Sequence, residues 1–311
     1  MILDEEAVRR LLSMDRLVPA MEKALADLSE GRVVQPLRAV LPVAHAQGFL
    51  GVMPASTGTA LGAKLVTFFP NNRDVPTHHA TIVLFRPETG EPVVTMDGRL
   101  ITEMRTAAVS AVATDALARR EASVLAILGS GVQAGSHLEA LRLVRPLAEV
   151  RVWSPRRAGE FAARFSVRAA ASAEAAVRGA DVVVVATTSK TPVLRGEWLS
   201  PGTHVNAVGA SRPDWRELDD AVLSRARIFV EQREAASKES GDVIAAGRID
   251  AEIGEVILGA AAGRRSPDEV TLFKSVGVAV EDVVAADLVY RAAVAEIARR
   301  RVSARGGRLP R

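Results

Sequence analysis

Hydrophobic and polar positions follow three rhythms along this chain. Between residues 4 and 30, Val8, Leu11, Leu12, Leu17, Met21, Leu25 and Leu28 recur near every 3.6 positions, which predicts helix. From Val33 to Val94 the texture changes to short β-rich runs broken by Pro and Gly, at 37–43, 48–53, 62–69, 80–85 and 92–96. Pro87 and Gly90 supply a turn before the last run. Strands that follow one another without helices point to a largely antiparallel sheet. A helix is expected over 102–119, crowded with the small residues Ala107, Ala108, Ser110, Ala111 and Ala113. Beyond Arg120 the rhythm becomes strand, helix, strand. Strands are expected at 124–128, 150–153, 181–186, 203–208, 228–230 and 271–274, which indicates a doubly wound parallel sheet. A last amphipathic helix, about 280–301, is expected to pack back onto the N-terminal unit.

The fold class expected is therefore α/β with two domains. Residues 1–118 form an α+β unit joined by the C-terminal helix (280–311), and residues 119–279 form a Rossmann unit. A length of 311 residues suffices for both. With 48% hydrophobic and 25% charged residues the balance is globular, and no apolar run is long enough to span a bilayer. The acidic opening Met1-Ile2-Leu3-Asp4-Glu5-Glu6 lacks the basic region of a signal peptide, so a cytoplasmic location is expected. Cysteine is absent, which removes disulfides and thiolate chemistry. The net charge of +3 comes from scattered arginines and a basic tail from Arg299 onward. With only 4% aromatic residues to stack bases, nucleic acid is not an expected partner. His78 and His79 are adjacent and point to opposite faces of a strand, the other histidines are isolated, and no metal site or hydrolase constellation is expected.

The most informative stretch is Val124 to Ala134. Five apolar residues run into Gly129-Ser130-Gly131, and a helical pattern opens at Val132-Gln133-Ala134. This is the G-x-G-x-x-A form of the dinucleotide fingerprint. Gly129 permits the sharp turn, Gly131 lets the backbone approach a pyrophosphate, and the helix N-terminus offers free N–H groups. An acidic residue after the second strand usually binds the adenine ribose and selects NAD. Here that position reads Ser154-Pro155-Arg156-Arg157, with a hydroxyl and two guanidiniums and no carboxylate. That set suits a 2′-phosphate, so NADP(H) is expected in preference to NAD(H).

Candidate substrate groups are fewer. Five lysines stand against thirty-five arginines, so a lysine in an apolar strand, Lys64 in Leu61-Gly62-Ala63-Lys64-Leu65-Val66, draws interest. Arg38 is similar. Arg105 falls in the first turn of the expected small-residue helix, where a cation opposes the macrodipole unless an anion binds there. Asp214 follows a strand of the nucleotide unit, at the edge where such sheets keep their ligands. Taken singly, a snorkelling lysine and a capping aspartate account for these residues better than a catalytic role does.

Together the segments resemble the ornithine cyclodeaminase and mu-crystallin family over roughly residues 30 to 290. The specific pieces are Lys64-Leu-Val-Thr-Phe, Met96-Asp-Gly, Arg105-Thr-Ala-Ala-Val-Ser-Ala, Gly129-Ser-Gly-Val-Gln-Ala, Asn206-Ala-Val-Gly-Ala-Ser-Arg-Pro-Asp-Trp-Arg-Glu-Leu-Asp-Asp and Lys238-Glu-Ser-Gly-Asp-Val. The resemblance implies a homodimer that pairs its N-terminal sheets, with the active site in the cleft between domains. It implies that Arg38, Lys64, Thr81 and Arg105 lie at the substrate carboxylate, that Asp214 is the acid/base beside the substrate nitrogen, and that Thr187, Thr188, Asn206 and Val208 lie near the cofactor. The activity implied is NADPH-dependent reduction of a small cyclic ketimine such as pyrroline-2-carboxylate or piperideine-2-carboxylate, with Lys64 as proton donor or relay. Alternatives are ornithine cyclodeamination with bound NAD, alanine dehydrogenation, or binding of iodothyronines with NADP. Gly51 stands where bacterial ornithine cyclodeaminases carry a glutamate two residues before Met-Pro, which favours the reductase.

Overall fold

The computed structural model describes residues 1–306 of the chain, with side chains through residue 300. Residues 307–311, the end of the expected basic tail and of the expected 280–311 helix, lie outside the described residues. Two sheets organise the molecule. The first has strand order β1 (Ile2–Leu3), β6 (Pro92–Asp97), β5 (His78–Phe85), β4 (Leu61–Phe68), β3 (Gly48–Ser56), β2 (Ala39–Val43). All its pairs are antiparallel except β1 with β6, so the largely antiparallel sheet expected from the β-rich runs is present.

The second sheet is entirely parallel. Its order is β13 (Ala251–Glu252), β12 (Ala226–Val230), β14 (Val270–Lys274), β11 (His204–Ala207), β10 (Val182–Val185), β7 (Val124–Leu128), β8 (Glu149–Trp153), β9 (Arg168–Ala169). The chain runs outward from β7 to β9, then returns to β10 on the other side of β7. The strand order thus reverses between β7 and β10, and the crevice beyond that point is where such sheets bind ligands.

Helix α3 (Arg99–Leu117) joins the two sheets. Its Ala107, Ala108, Ser110, Ala111 and Ala113 are fully buried, and it packs against α2 (Met14–Ser29), α4 (Val132–Val144), β5, β11 and β14. Small side chains allow that close approach on every side. The helix begins three residues earlier than expected because the Asp97 carboxylate accepts the Arg99 N–H at 2.9 Å. Arg105 consequently sits in the second turn, and the macrodipole argument for an anion there is weaker than the sequence suggested.

The single helix expected over 4–30 is two, α1 (Glu5–Leu11) and α2. Leu12 and Ser13 are extended at the break, while the apolar spacing continues across it and hides it from the pattern. The final helix α11 (Ala279–Gly306) packs on α2, α3, β3, β4 and β5 as expected. Shorter helices α5 (Ala158–Phe165), α6 (Ala173–Val177), α7 (Asp220–Arg225), α8 (Arg233–Glu239), α9 (Gly241–Ala246) and α10 (Ile253–Ile257) complete the parallel half.

Candidate active site

The glycine turn has the geometry of a phosphate cradle. Gly129 takes φ +124°, and a Cβ there would collide with the carbonyl oxygen of Ala186 at the neighbouring strand end. Only glycine fits this position. Gly131 caps α4, and a Cβ on it would meet nothing within 4 Å, so space remains open before the helix N-terminus. Ser130 and Ser154 join their hydroxyls at 2.8 Å, which fastens the turn after β8 to the glycine loop. The Arg157 N–H donates to Ser154 Oγ at 3.2 Å, and Arg156 and Arg157 project exposed at that rim. No carboxylate occupies 154–157. These residues fit a dinucleotide.

A cavity of about 760 Å³ opens beside this cradle. Gln133 from α4 and Val208, Ser211, Arg212, Pro213 and Trp215 from the carboxyl edge of the parallel sheet form one wall. The other wall, from the antiparallel sheet and α3, carries Arg38, Met53, Lys64, Phe68, His78 and Arg105. The structure therefore brings Arg38, Lys64, Arg105, Gln133 and Val208 to one space.

Lys64 is placed by strand alternation on the buried face of β4, opposite Met53 and Ile82. It is 2% exposed, and its Nζ lies 2.6 Å from Asp282 Oδ2. Burial pushes its pKa down to about 8; Asp282 opposes that shift and Arg105 reinforces it. Arg105 donates to Glu281 Oε2 at 2.5 Å and to Asp282 Oδ1 at 3.1 Å. The anion the sequence demanded for Arg105 is thus supplied by the first turn of α11. Burial acts to raise the Asp282 pKa, yet Arg105 and Lys64 carry it below the ordinary carboxylate value. Burial raises Glu281 to about 8 against the pull of Arg105. Arg38 donates to the carbonyls of Val276 (2.8 Å) and Gly277 (2.6 Å) and pairs with Glu239 at 2.8 Å, which ties the cavity floor to the loop after β14.

Six expected site residues, Thr81, Asn206, Asp214, Thr187, Thr188 and Val132, do not line the cavity. Thr81 pairs with Leu65 on the opposite, exposed face of the sheet from Lys64, because it lies an odd number of positions along β5 from Ile82. On the cavity face β5 presents His78 instead, held neutral with a pKa pushed down to about 4 by burial and then by Lys64 and Arg105. Asn206 is fully buried; it donates to Thr114 Oγ1 at 2.8 Å and bonds the His204 ring at 3.3 Å, so its side chain fixes β11 to α3. Asp214 is 69% exposed, 3.6 Å from Arg212 Nε, in a loop whose neighbours line the cavity while its own carboxylate faces out. Thr188 is exposed at the end of β10, and Thr187 turns its N–H (2.8 Å) and hydroxyl (2.5 Å) to Glu217. Val132 is exposed at the start of α4.

Glu217 belongs to a charged cluster that sequence reasoning missed. Burial raises its pKa to about 7, with Lys274 opposing. Lys274, fully buried, donates to the Gly209 carbonyl and lies 3.7 Å from Asp242. The signal was available: Lys274 ends the apolar run Thr271-Leu272-Phe273, the same setting that singled out Lys64. Glu281 and Asp282 gave no signal, since two acids in a helix's first turn are what the dipole alone favours. Among the described residues, no cluster of three or more side chains fit to hold a metal exists, and no helix is long and apolar enough to cross a membrane.

Comparison with known proteins identifies the lineage. The model of the ornithine cyclodeaminase/mu-crystallin family matches residues 1–296. The chain belongs to this family. Ketimine reductase mu-crystallin of Mus musculus is 50% identical over 298 residues, covering 92% of this chain and 95% of the relative. Among solved structures of the family, the Delta(1)-pyrroline-2-carboxylate reductase of Thermococcus litoralis, in complex with NADH and L-proline, superposes with a TM-score of 0.91 at 35% identity, covering 95% of this chain and 98% of that one. An archaeal alanine dehydrogenase dimer with bound NAD also gives 0.91, at 37% identity, covering 95% and 96%.

Proposed function

We propose that this member of the family reduces cyclic ketimines bearing a carboxylate, of the pyrroline-2-carboxylate and piperideine-2-carboxylate kind, to L-proline and L-pipecolate. The observation that carries this reading is the meeting of Lys64 and Arg105 in one cavity with Gln133 and Val208 at the ligand edge of the parallel sheet. The mouse and archaeal relatives named for this chemistry support it. Gly129, Ser130, Gly131, Val132 and Gln133 would hold a nicotinamide dinucleotide, whose chemistry there would be a hydride for the C=N carbon. Arg105 and Lys64 hold the carboxylate and fix the ring. Balance requires a proton on the nitrogen, and Lys64, near its midpoint at pH 8, can deliver it. Asp214 is assigned to stabilise the protonated imine if its loop turns inward in the complex. Arg156, Arg157 and Ser154, with no carboxylate beside them, support NADPH over NADH.

Gly51 favours reduction over cyclodeamination. It lies buried on the Lys64 face of the sheet, where a Cβ would stand 3.0 Å from Val66 Cγ1, and it offers no acid for a second amine. On the same reading, residues 1–118 with the C-terminal helix bind substrate and pair two copies, and residues 119–279 bind cofactor, in a cytoplasmic setting. Leu41 of β2 and Leu65 of β4 stand 63% and 40% exposed on the face of the sheet turned away from Lys64, an apolar face suited to a homodimer. The test is NADPH oxidation with a panel of cyclic imines, pyruvate plus ammonia, and ornithine with NAD. Ornithine turnover that rivals imine reduction refutes the proposal.

A further inference from the structure

Two carboxylates stand directly behind the cations of the cavity wall. Glu281 and Asp282 are fully buried, and each touches Arg105 from the first turn of α11. The groups facing Glu281 come from every element around it: Arg105 on α3, Lys64 on β4, Asp282 on its own helix, and Glu231 beyond β12. Glu231 is itself buried, receiving the N–H groups of Val276 and Gly277. Arg105 and Lys64 thus serve three carboxylates, Glu281, Asp282 and Glu231, so the set carries one negative charge too many when all are ionised. One consequence is visible: Glu281 Oε1 has no hydrogen-bond partner among the described residues. An anion arriving on Arg105 and Lys64 adds a further negative charge in a medium where charges interact strongly.

We propose that Glu281 is a proton-holding positioning residue: it takes a proton from solvent when the substrate carboxylate docks on Arg105 and Lys64, and returns it when the carboxylate leaves. No other bond changes. The proton removes the surplus negative charge behind Arg105 and leaves the guanidinium for the incoming anion. Burial already favours the protonated form, with a pKa near 8, so the uptake is read most clearly in mildly alkaline solution. This inference rests on the preceding reading that a carboxylate binds at Arg105 and Lys64.

The test is calorimetric titration of the NADP⁺-saturated protein with pyrrole-2-carboxylate at pH 8.5, in two buffers of different ionisation enthalpy. Wild type is expected to take up roughly 0.5 proton or more per carboxylate bound. Glu281→Gln is expected to bind the carboxylate with a clearly smaller uptake, leaving the share due to Lys64, whereas Lys64→Met retains the Glu281 share. Uptake in Glu281→Gln equal to that of wild type overturns the assignment, as does wild-type binding without uptake. Should Glu281→Gln not fold, the pH dependence of Kd between pH 7 and 9.5 in Lys64→Met decides: weakening with rising pH supports the role of Glu281, and a flat profile overturns it. No binding of the carboxylate to wild type in either buffer refutes the ketimine reading itself, which separates that failure from this one.

Discussion

Asp282→Asn is the most discriminating single change. It keeps the shape of the side chain and removes a charge that lies 2.6 Å from Lys64 Nζ and 3.1 Å from Arg105 Nε, with all three groups buried. Whichever way the new amide turns, its NH₂ faces one of two cations that are themselves donors. Removing one partner of a buried ion pair costs about 3–5 kcal/mol. Part of that relaxes, because Lys64 at about 8 can shed its proton near pH 7.5 for less than about 1 kcal/mol. Arg105 cannot shed its proton, but Glu281 at 2.5 Å can release one and take up the opposing charge. The loss is therefore expected at the lower end, about 3 kcal/mol, or roughly 6 °C in Tm. Without Asp282 the Lys64 pKa falls further, so at pH 7.5 the lysine is mostly neutral and KM for the ketimine rises by about 10-fold, near 1.4 kcal/mol. The sign fixes the control: lowering the pH re-protonates Lys64, so KM of the variant recovers toward pH 6, where wild type changes little. Thermal melts and NADPH oxidation from pH 5.5 to 9 measure both quantities. A variant with the wild-type KM and pH profile refutes the role given to the Lys64–Asp282 pair.

Replacing Arg156 and Arg157 with Ala is expected to erase a preference for NADPH over NADH of roughly 10-fold, about 1.4 kcal/mol, measured by fluorescence titration; a wild-type preference for NADH contradicts the assignment. Lys64→Met is expected to lower turnover by ~10²-fold and Arg105→Lys to impair it through loss of the planar fork, both with nearly unchanged NADPH affinity. Asp214→Asn is expected to lower kcat while cofactor KM stays put; wild-type kcat removes Asp214 from the chemistry and leaves Lys64 as donor. His137 and His204, with pKa values pushed down to about 4 and about 3 chiefly by burial, bind fewer protons folded than unfolded, so stability falls as pH drops below 6.5. The loss is roughly 1.4 kcal/mol per histidine per pH unit at most, and an acid denaturation series flat between pH 6 and 4.5 excludes it.

The sequence carried the fold because each half of the chain obeys one period. β4 and β5 alternate, with Lys64, Val66, Ala80 and Ile82 inward, and the parallel strands are short apolar runs such as Val182–Val185. The glycine turn was legible for a steric reason, since Gly129 alone can sit against Ala186. What alternation could not deliver was phase from a resemblance: Thr81 was matched by likeness, and its parity with Ile82 sends it to the far face. The bond from Asn206 to Thr114 on α3 was not legible either, because the two residues are 92 positions apart. The break at Leu12–Ser13 was invisible because the apolar spacing runs through it. β1, β9 and β13, two residues each, are too short for any periodic signal.

The charged groups were the least legible part because their partners are far away in sequence, and the reason bears on how the two halves cooperate. Arg105 and its acids are separated by 176 and 177 positions. All the missed contacts on that side issue from one junction, residues 274–282, between β14 and α11. Lys274 reaches the Gly209 carbonyl beside Glu217, and Glu217 in turn holds Thr187 at the end of β10. One residue on, the Ser275 N–H joins Ala207 at 3.0 Å. Val276 and Gly277 receive Arg38 and lie against Glu231, and a Cβ at Gly277 would collide with the Arg105 guanidinium. Glu281 and Asp282 then grip Arg105 and Lys64. The stretch 274–282 thus touches the strand ends of the parallel sheet at one end and the cations Arg38, Lys64 and Arg105 at the other. A displacement of this junction cannot loosen one side without moving the other, so substitutions here are expected to change substrate and cofactor constants together, whereas those in β4 or after β8 change one alone.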